Sequence, residues 1–303
     1  MYLKHFNLNE FPFVLTPNTQ YFCNLPSFQE ALNVILLSLR TGEGFIKIIG
    51  EVGTGKTMLC RELLNKIENE YTIAYIPNPP TTSSDLHKAL AQEFGITIDK
   101  TKDHYDLLKI IHEKLLETAK TDKKAVIIVD EAQVISEKGL EGLRLLSNLE
   151  TESKKLLHII LFGQPELDKK LAKKSLRQLK QRITFSYRLR TLNKHELPAY
   201  VYHRLSKAGN KYTDIFSRHA IQLLTQASQG TPRLVNILCH KALMTTYGKG
   251  RSYVGGKEMF TAILDTESVP WHFKCLPINL NLLFILIAIL ILGIELFLIS
   301  TRV

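Results

Sequence analysis

The chain has 303 residues, 45% of them hydrophobic, and a formal net charge of +10 at pH 7. This length and apolar content exclude a disordered chain and leave room for about two domains. The four cysteines lie far apart and form no Cys-x-x-Cys pair, which argues against a disulfide framework or a structural zinc site. The first residues are too polar for a signal peptide, so we expect the folded part to lie in the cytosol.

Apolar runs alternate with amphipathic stretches in the first part of the chain, which predicts an α/β fold with a parallel sheet covered by helices. In chain order the pattern predicts a strand at 45–49, a helix at 56–68, a strand at 73–76, helices at 84–94 and 107–119, a strand at 125–129, a helix at 140–149 and a strand at 158–162. These elements belong to a predicted nucleotide-binding α/β domain over residues 1–190.

From Asn193 onward the pattern becomes helical. Asn193 and Glu196 fit a helix start, and Pro232 opens a further helix after Gly230 stops the preceding one. We therefore predict a small helical lid over residues 191–266.

A glycine-rich motif follows the first predicted strand and precedes a predicted helix, as a phosphate-binding loop requires. The motif consists of Gly50, Glu51, Val52, Gly53, Thr54, Gly55, Lys56 and Thr57. Its glycines let backbone N–H groups turn toward phosphates, while Lys56 reaches the β and γ phosphates and Thr57 can ligate Mg²⁺. The motif predicts ATP and Mg²⁺ as cofactors.

The strand predicted at 125–129 ends in two carboxylates, Asp130 and Glu131. Ligands of α/β folds bind at the carboxyl ends of the strands, so both side chains are expected beside the phosphates. Asp130 is predicted to hold the metal with Thr57, and Glu131 to act as the general base for an attacking water. The sequence therefore predicts an ATP hydrolase.

Two further polar residues stand where a nucleotide would lie between a core and a lid. Gln164 follows the strand at 158–162 and could orient water or sense the γ phosphate. Arg233 begins a lid helix and could reach the same phosphates. Each, taken singly, also fits an ordinary surface or cap residue.

A basic block covers residues 169–194, which contain no Asp or Glu. Its cations are Lys169, Lys170, Lys173, Lys174, Arg177, Lys180, Arg182, Arg188, Arg190 and Lys194. Such a block attracts nucleic acid, anionic lipid or nucleotide phosphate, or it is simply a solvated helix face.

The order of these motifs resembles AAA+ ATPases of the general-secretion ExeA and MSHA-pilus MshM type, up to about residue 265. The motifs are the phosphate loop, DEAQ at 130–133, GQPEL at 163–167, QR at 181–182, GTPR at 230–233, FNLNEFPF at 6–13 and LRLLSNLE at 143–150. The resemblance implies an AAA+ core in which Gln164 is the sensor-1 residue and Arg233 the sensor-2 arginine. It also implies that Arg182, or else Arg177, is an arginine finger that reaches a neighbouring subunit's ATP, so the partner expected first is the chain itself, in a homo-oligomeric ring or arc.

The C-terminal segment is apolar around its whole circumference. Residues 282–294 carry no polar side chain, and the run 278–300 is long enough for ~30 Å of hydrocarbon at ~1.5 Å per residue. We predict a single transmembrane helix over 278–300, after a linker at 267–277, with a buried or partner-binding helix as the alternative. Glu295 could pair with a partner's membrane helix or turn toward the interface.

Together these expectations place the chain in the inner membrane as a single-pass protein, with the ATPase domain on the cytoplasmic side. The resemblance implies ATP-driven assembly or remodelling of a cell-envelope machine, with inner-membrane proteins of an MSHA type IV pilus or a type II secretion system as partners. Two alternatives stay open: a DNA-binding AAA+ regulator of the transposition or replication type, and a membrane scaffold switched by ATP binding.

Overall fold

The computed structural model describes residues 2–97, 104–121, 123–148, 155–210 and 215–274. The predicted span at 278–300, with Glu295, lies outside these residues. Among the residues that are described, no helix combines the length and the apolar character needed to cross a bilayer.

Five parallel strands form one sheet in the order β2-β3-β4-β1-β5. The strands are β1 Phe45–Gly50, β2 Tyr71–Ile76, β3 Lys124–Val129, β4 Leu157–Gly163 and β5 Ile183–Leu189. The first four confirm the predicted strands. They read as near-continuous apolar runs because helices cover both faces of the sheet.

Strand β5 was not predicted from the sequence, in which its residues stand out only as part of the basic block. It is the edge strand beside β1, and its side chains alternate between half-buried and exposed. Thr184, Ser186 and Arg188 face solvent, so the segment lacks the apolar run by which the central strands were recognised.

Twelve helices pack on the sheet and beside it within the described ranges. They are α1 Pro26–Thr41, α2 Lys56–Ile67, α3 Ser83–Glu93, α4 His104–Ala119, α5 Glu137–Leu146, α6 Pro165–Leu171, α7 Arg177–Arg182, α8 Glu196–Lys207, α9 Arg218–Ser228, α10 Pro232–Gly248, α11 Gly256–Leu264 and α12 Trp271–Lys274. Helices α1 and α2 cover one face of the sheet, and α3 to α7 cover the other. The predicted helix at 140–149 begins earlier, because Ser136 caps it by accepting a hydrogen bond from the N–H of Gly139.

Helices α8 to α11 lie within residues 191–266, the segment for which a helical lid is predicted, and they are called the lid below. Asn193 Oδ1 accepts from the N–H of Glu196 at 2.9 Å, and Glu196 Oε2 accepts from the N–H of Asn193 at 2.9 Å. This reciprocal pair confirms the helix start predicted from those two residues. Pro232 opens α10 at its first turn, also as predicted.

The N-terminal segment packs on the lid, although the predicted boundaries group it with the sheet. The N–H of Asn9 donates to Ala208 O at 2.8 Å, and Asn210 Nδ2 donates to Phe6 O at 2.8 Å. Phe13 lies edge-on to Phe216 with 6.2 Å between ring centroids. The apolar side chains of this segment are buried against lid helices that follow almost two hundred residues later, a contact that local periodicity does not encode.

Candidate nucleotide site

Three adjacent strands bring the predicted site residues to one edge of the sheet. Strands β3, β4 and β1 are neighbours in the sheet. At their carboxyl ends, β3 leads into Asp130 and Glu131, β4 into Gln164, and β1 into the phosphate loop. In register, Ile49 lies opposite Gly163 on β4, and Val129 lies opposite Leu161. Parallel pairing therefore assembles in space what the sequence separates by more than a hundred residues.

Lys56 is folded back onto its own loop. Its Nζ donates to Gly50 O at 2.8 Å and to Glu51 O at 3.0 Å, and the residue is only 5% exposed. Burial lowers the pKa of the Lys56 ammonium, while the carboxylates of Glu131 and Asp130 act in the opposite direction. The cation is thus held by backbone carbonyls at the start of α2.

Glycine is required at two points of the loop. Gly53 and Gly55 have φ of 81° and 98°, in the left-handed region. A Cβ at Gly53 would lie 2.8 Å from Cβ of Arg233, and one at Gly55 would lie 2.9 Å from the ring of Phe28. The bare backbone lets the lid and α1 approach the loop closely.

Thr57 and Asp130, the predicted metal pair, are in direct contact. Thr57 Oγ1 donates to Asp130 Oδ2 at 2.6 Å, and Asp130 Oδ1 accepts from the N–H of Glu131 at 2.9 Å. Asp130 is 2% exposed, and this burial raises the pKa of its carboxyl group, while the bonds from Thr57 and Glu131 oppose the shift. A hydroxyl and a carboxylate are the hard oxygen donors that suit Mg²⁺, so the pair fits that ion.

Two glutamine amides hold the carboxylate of Glu131. Gln164 Nε2 donates to Glu131 Oε2 at 2.9 Å, and Gln133 Nε2 donates to the same oxygen at 2.5 Å. Gln133 Oε1 in turn accepts from the N–H of Gln164 at 3.0 Å. Glu131 has a φ of 52°, a left-handed conformation that residues other than glycine rarely adopt.

Gln133 was not among the predicted site residues. Its signal in the sequence was its place in the DEAQ motif, two residues after the predicted general base. The contact with Glu131 depends on a short 3₁₀ turn over Ala132–Val134, which turns the amide back toward the strand end.

The lid closes the cleft from the other side. The N–H of Arg233 donates to Gly53 O at 3.2 Å, so the start of α10 rests on the phosphate loop. Arg233, Gln164, Glu131, Lys56 and Thr57 all line one cavity of about 290 Å³. The structure therefore brings together five of the residues singled out from the sequence.

Part of the cavity wall was not predicted, because it comes from the N-terminal segment. This wall consists of Val14, Leu15, Thr16, Pro17, Tyr21, Phe22, Cys23 and Phe28. Most of these side chains are apolar or aromatic, which distinguishes the wall from the polar end beside Lys56 and Glu131. Such a division into an apolar part and a few placed polar groups is typical of small-molecule sites.

Arg204 on α8 pins this wall to the lid. It is 3% exposed and donates from Nε to Pro12 O at 2.5 Å and from Nη1 to the Tyr200 hydroxyl at 3.0 Å. Its guanidinium lies 4.8 Å from the centroid of the Tyr21 ring. The only hint in the sequence was the spacing of Tyr200 and Arg204, which places both on one face of a helix.

Neither arginine-finger candidate lines the cavity. Arg182 Nη1 donates to Ser147 Oγ at 3.0 Å, and Arg177 is exposed at the start of α7. Strand β5 begins directly after Arg182, opposite Phe45, whereas the phosphate loop begins at the far end of β1. At ~3.3 Å per residue the two ends of β1 lie roughly 17 Å apart, so Arg182 is remote from its own subunit's site.

The cations of the basic block are distributed over several elements: α6, the turn after it, α7, β5 and the segment between β5 and α8. Several of them have acceptors within the chain. Lys170 Nζ donates to Gln133 O at 2.6 Å, Lys173 Nζ to Glu137 Oε1 at 2.5 Å, and Arg190 Nη1 to Glu196 Oε2 at 2.6 Å. Part of the block is therefore engaged in contacts within the chain.

Comparisons with known proteins agree with this architecture. Residues 39–171 match the family model of an AAA domain. The fold is similar to that of the ORC2 protein of Aeropyrum pernix, with a TM-score of 0.62 and 17% identity over 85% of this chain and 74% of that one. It is also similar to Cdc6p of Pyrobaculum aerophilum, with a TM-score of 0.63 and 15% identity over 83% and 69%. The matched domain is that of an AAA ATPase, and the fold agrees with it.

A relative with higher sequence identity gives a more specific comparison. The chain is 43% identical over 269 residues to general secretion pathway protein A of Aeromonas hydrophila, a match that covers 89% of this chain and 49% of that protein. This similarity bears out the resemblance to general-secretion ATPases of the ExeA type that the sequence motifs predict. The chain spans about half the length of this curated relative.

Proposed function

We propose that the chain is a membrane-anchored ATPase that uses ATP hydrolysis to assemble or remodel a cell-envelope machine of the general secretion type. One observation supports the hydrolysis of ATP above all: Lys56, the Thr57–Asp130 pair and Glu131 converge in one cleft. The name of the relative, general secretion pathway protein A, supports the secretion role. An MSHA type IV pilus is the other machine that the sequence motifs suggest.

Phosphate binding is the first task of the site. Lys56 would exchange the carbonyls of Gly50 and Glu51 for oxygens of the β and γ phosphates, beside the N-terminus of α2. Arg233 would add a second cation from the lid. The apolar wall of the N-terminal segment would take the base, because it offers the aromatic surface that the phosphate end lacks.

Thr57 and Asp130 would hold Mg²⁺ through oxygen ligands, in place of their present hydrogen bond. When bound, the ion neutralises charge that develops on the β and γ phosphates. Asp130 is buried, and its carboxyl group already accepts a hydrogen bond from the N–H of Glu131. The carboxylate is therefore held in position before the ion binds.

Glu131 would accept the proton of the attacking water. The amides of Gln133 and Gln164 both donate to Oε2 of Glu131, so they fix the orientation of the carboxylate. Gln164 lies between Glu131 and the strand end of β4 and would also contact the water or the γ phosphate. Proton transfer to a positioned carboxylate contributes ~10²–10⁴-fold in rate.

Because Arg182 is remote from its own site, we expect it to act on the nucleotide of a neighbouring subunit. Mixing two variants tests this directly. Lys56→Ala subunits lack a working site but keep the arginine, whereas Arg182→Ala subunits keep the site but lack the arginine. Alone, Arg182→Ala is expected to lose ~10³-fold or more of its ATPase rate and Lys56→Ala ~10²–10³-fold, and the mixture is expected to regain a measurable part of it.

The matched control for this mixing experiment is Lys180→Ala, which removes a cation from the same helix without touching Ser147. That variant should keep its activity. If the mixture stays as inactive as its components while both variants still assemble into oligomers, the trans role of Arg182 is wrong, and Arg177→Ala should be tested in the same way.

Membrane anchoring rests on the apolar sequence at 278–300. The test is ATP hydrolysis by the full chain reconstituted in anionic vesicles, with and without duplex DNA. We expect the protein to resist alkaline extraction from the vesicles and its turnover to ignore DNA. Strong stimulation by DNA would favour the nucleic-acid regulator instead, and complete extraction would contradict the anchor.

A further inference from the structure

The last described helix, α12, exposes the chain's single tryptophan. Trp271 is 76% exposed, the highest value among the exposed large hydrophobic side chains of the described residues. It lies against the ring of His272, with 6.3 Å between centroids. Leu264, at the end of α11, is also 48% exposed. Transfer of the indole out of water would bury a large apolar surface and is therefore favourable.

The exposure of Trp271 is imposed by its neighbours. Val269 is 2% exposed, and Phe273 packs against the core of the lid. The N–H of Val269 donates to Thr266 O at 3.2 Å, and the N–H of Phe273 donates to Pro270 O at 3.0 Å. The two hydrogen bonds form local turns, and the burial of Val269, the packing of Phe273 and the contact of α12 with α11 hold the indole in place. Helix α12 lies within the segment 267–277, for which the sequence predicts a linker.

The length of chain beyond α12 limits how far this helix can be from a membrane. Three residues, and therefore four Cα–Cα steps, separate Lys274 from residue 278, where the predicted span begins. Fully extended, they reach at most ~14 Å. The headgroup layers add ~5–8 Å on each side of a ~30 Å hydrocarbon core. Helix α12 is therefore tethered at the level of the headgroups or just above it.

Tryptophan suits that environment because its ring is largely apolar while its N–H is polar. We propose that Trp271 and α12 lie in the lipid headgroup interface and fix the lid against the membrane. The inference rests on the proposed membrane anchor.

Intrinsic fluorescence tests the proposal without any substitution, since Trp271 is the sole tryptophan. The full chain is reconstituted in vesicles whose lipids carry bromine either near the glycerol end or near the methyl end of the acyl chain. We expect blue-shifted emission, strong loss of emission with the shallow bromines and a smaller loss with the deep ones. Soluble acrylamide should quench the vesicle-bound protein less than it quenches the protein in detergent-free buffer.

The control moves the tryptophan to the α/β domain in the double variant Trp271→Phe, Leu37→Trp. Leu37 is 55% exposed on α1, far in sequence from the lid and outside the cleft, and its replacement should show no quenching by brominated lipid. Emission of the wild-type protein that is insensitive to both lipids would overturn the inference. So would stronger quenching by the deep bromines, which would place the indole inside the hydrocarbon.

Alkaline extraction of the same vesicles separates this inference from the anchor on which it rests. If the protein stays in the vesicles and Trp271 is not quenched, the anchor stands and only the interfacial position of α12 is wrong. If the protein is released, the anchor itself fails and the inference fails with it.

Discussion

Replacing Lys56 with alanine is expected to slow ATP hydrolysis strongly and to weaken ATP binding. The variant removes the one cation that the loop itself supplies, a group that is 5% exposed and held by two loop carbonyls. Loss of a preorganised group aimed at developing charge costs ~10²–10³-fold in rate. Steady-state hydrolysis and the binding of a fluorescent ATP analogue measure the two effects.

Lys66→Ala is the matched control for this experiment. Lys66 lies on the same helix, α2, but its side chain is 46% exposed and makes only a 3.5 Å ion pair with Glu62. Such a pair is worth little, so activity and fold should be unchanged. Substantial turnover by Lys56→Ala, with Lys66→Ala at the wild-type level, would contradict the proposed site.

Replacing Glu131 with glutamine is expected to separate ATP binding from hydrolysis. The amide has the shape of the carboxylate and can still accept a hydrogen bond from Gln133 or Gln164, but it cannot take up a proton at neutral pH. We expect ~10²–10⁴-fold slower hydrolysis with nearly unchanged affinity for ATP. Single-turnover hydrolysis beside equilibrium binding gives both quantities.

Glu137→Gln is the matched control, because Glu137 is a carboxylate at the surface that pairs with Lys173 and takes no part in the cleft. A rate for Glu131→Gln within a few-fold of wild type would reject Glu131 as the base. The same variant also distinguishes the assembly ATPase from an ATP-switched scaffold: secretion that persists in cells although hydrolysis is lost would favour the scaffold.

Much of the site could be predicted from the sequence because its signals are local. A phosphate loop needs glycines and a lysine at fixed spacing between a strand and a helix, and Gly50 to Thr57 satisfy that need within eight residues. Buried parallel strands show as apolar runs, so the strands that carry Asp130 and Gln164 were recognised with nearly correct bounds. The capping pair of Asn193 and Glu196 is equally local.

Other parts of the site were decided only by the tertiary structure. Strand β5 is half-exposed at the sheet edge and is defined by its pairing with β1, not by an apolar run. Arginine side chains usually lie at the surface. Arg204 is buried, and it donates a hydrogen bond to the N-terminal segment that folds over it. The amide of Gln133 reaches Glu131 through a tight turn whose effect the sequence does not reveal.

The sequence by itself predicted that Lys56, Thr57, Asp130 and Glu131 lie together, because these residues belong to short motifs whose spacing follows from one strand end and one helix start. The tertiary structure decided what surrounds them: the wall from the N-terminal segment, the approach of Arg233 to the loop, and the remoteness of Arg182 from its own site. These features depend on contacts between segments far apart in the chain, and such contacts leave no periodic trace in either segment alone.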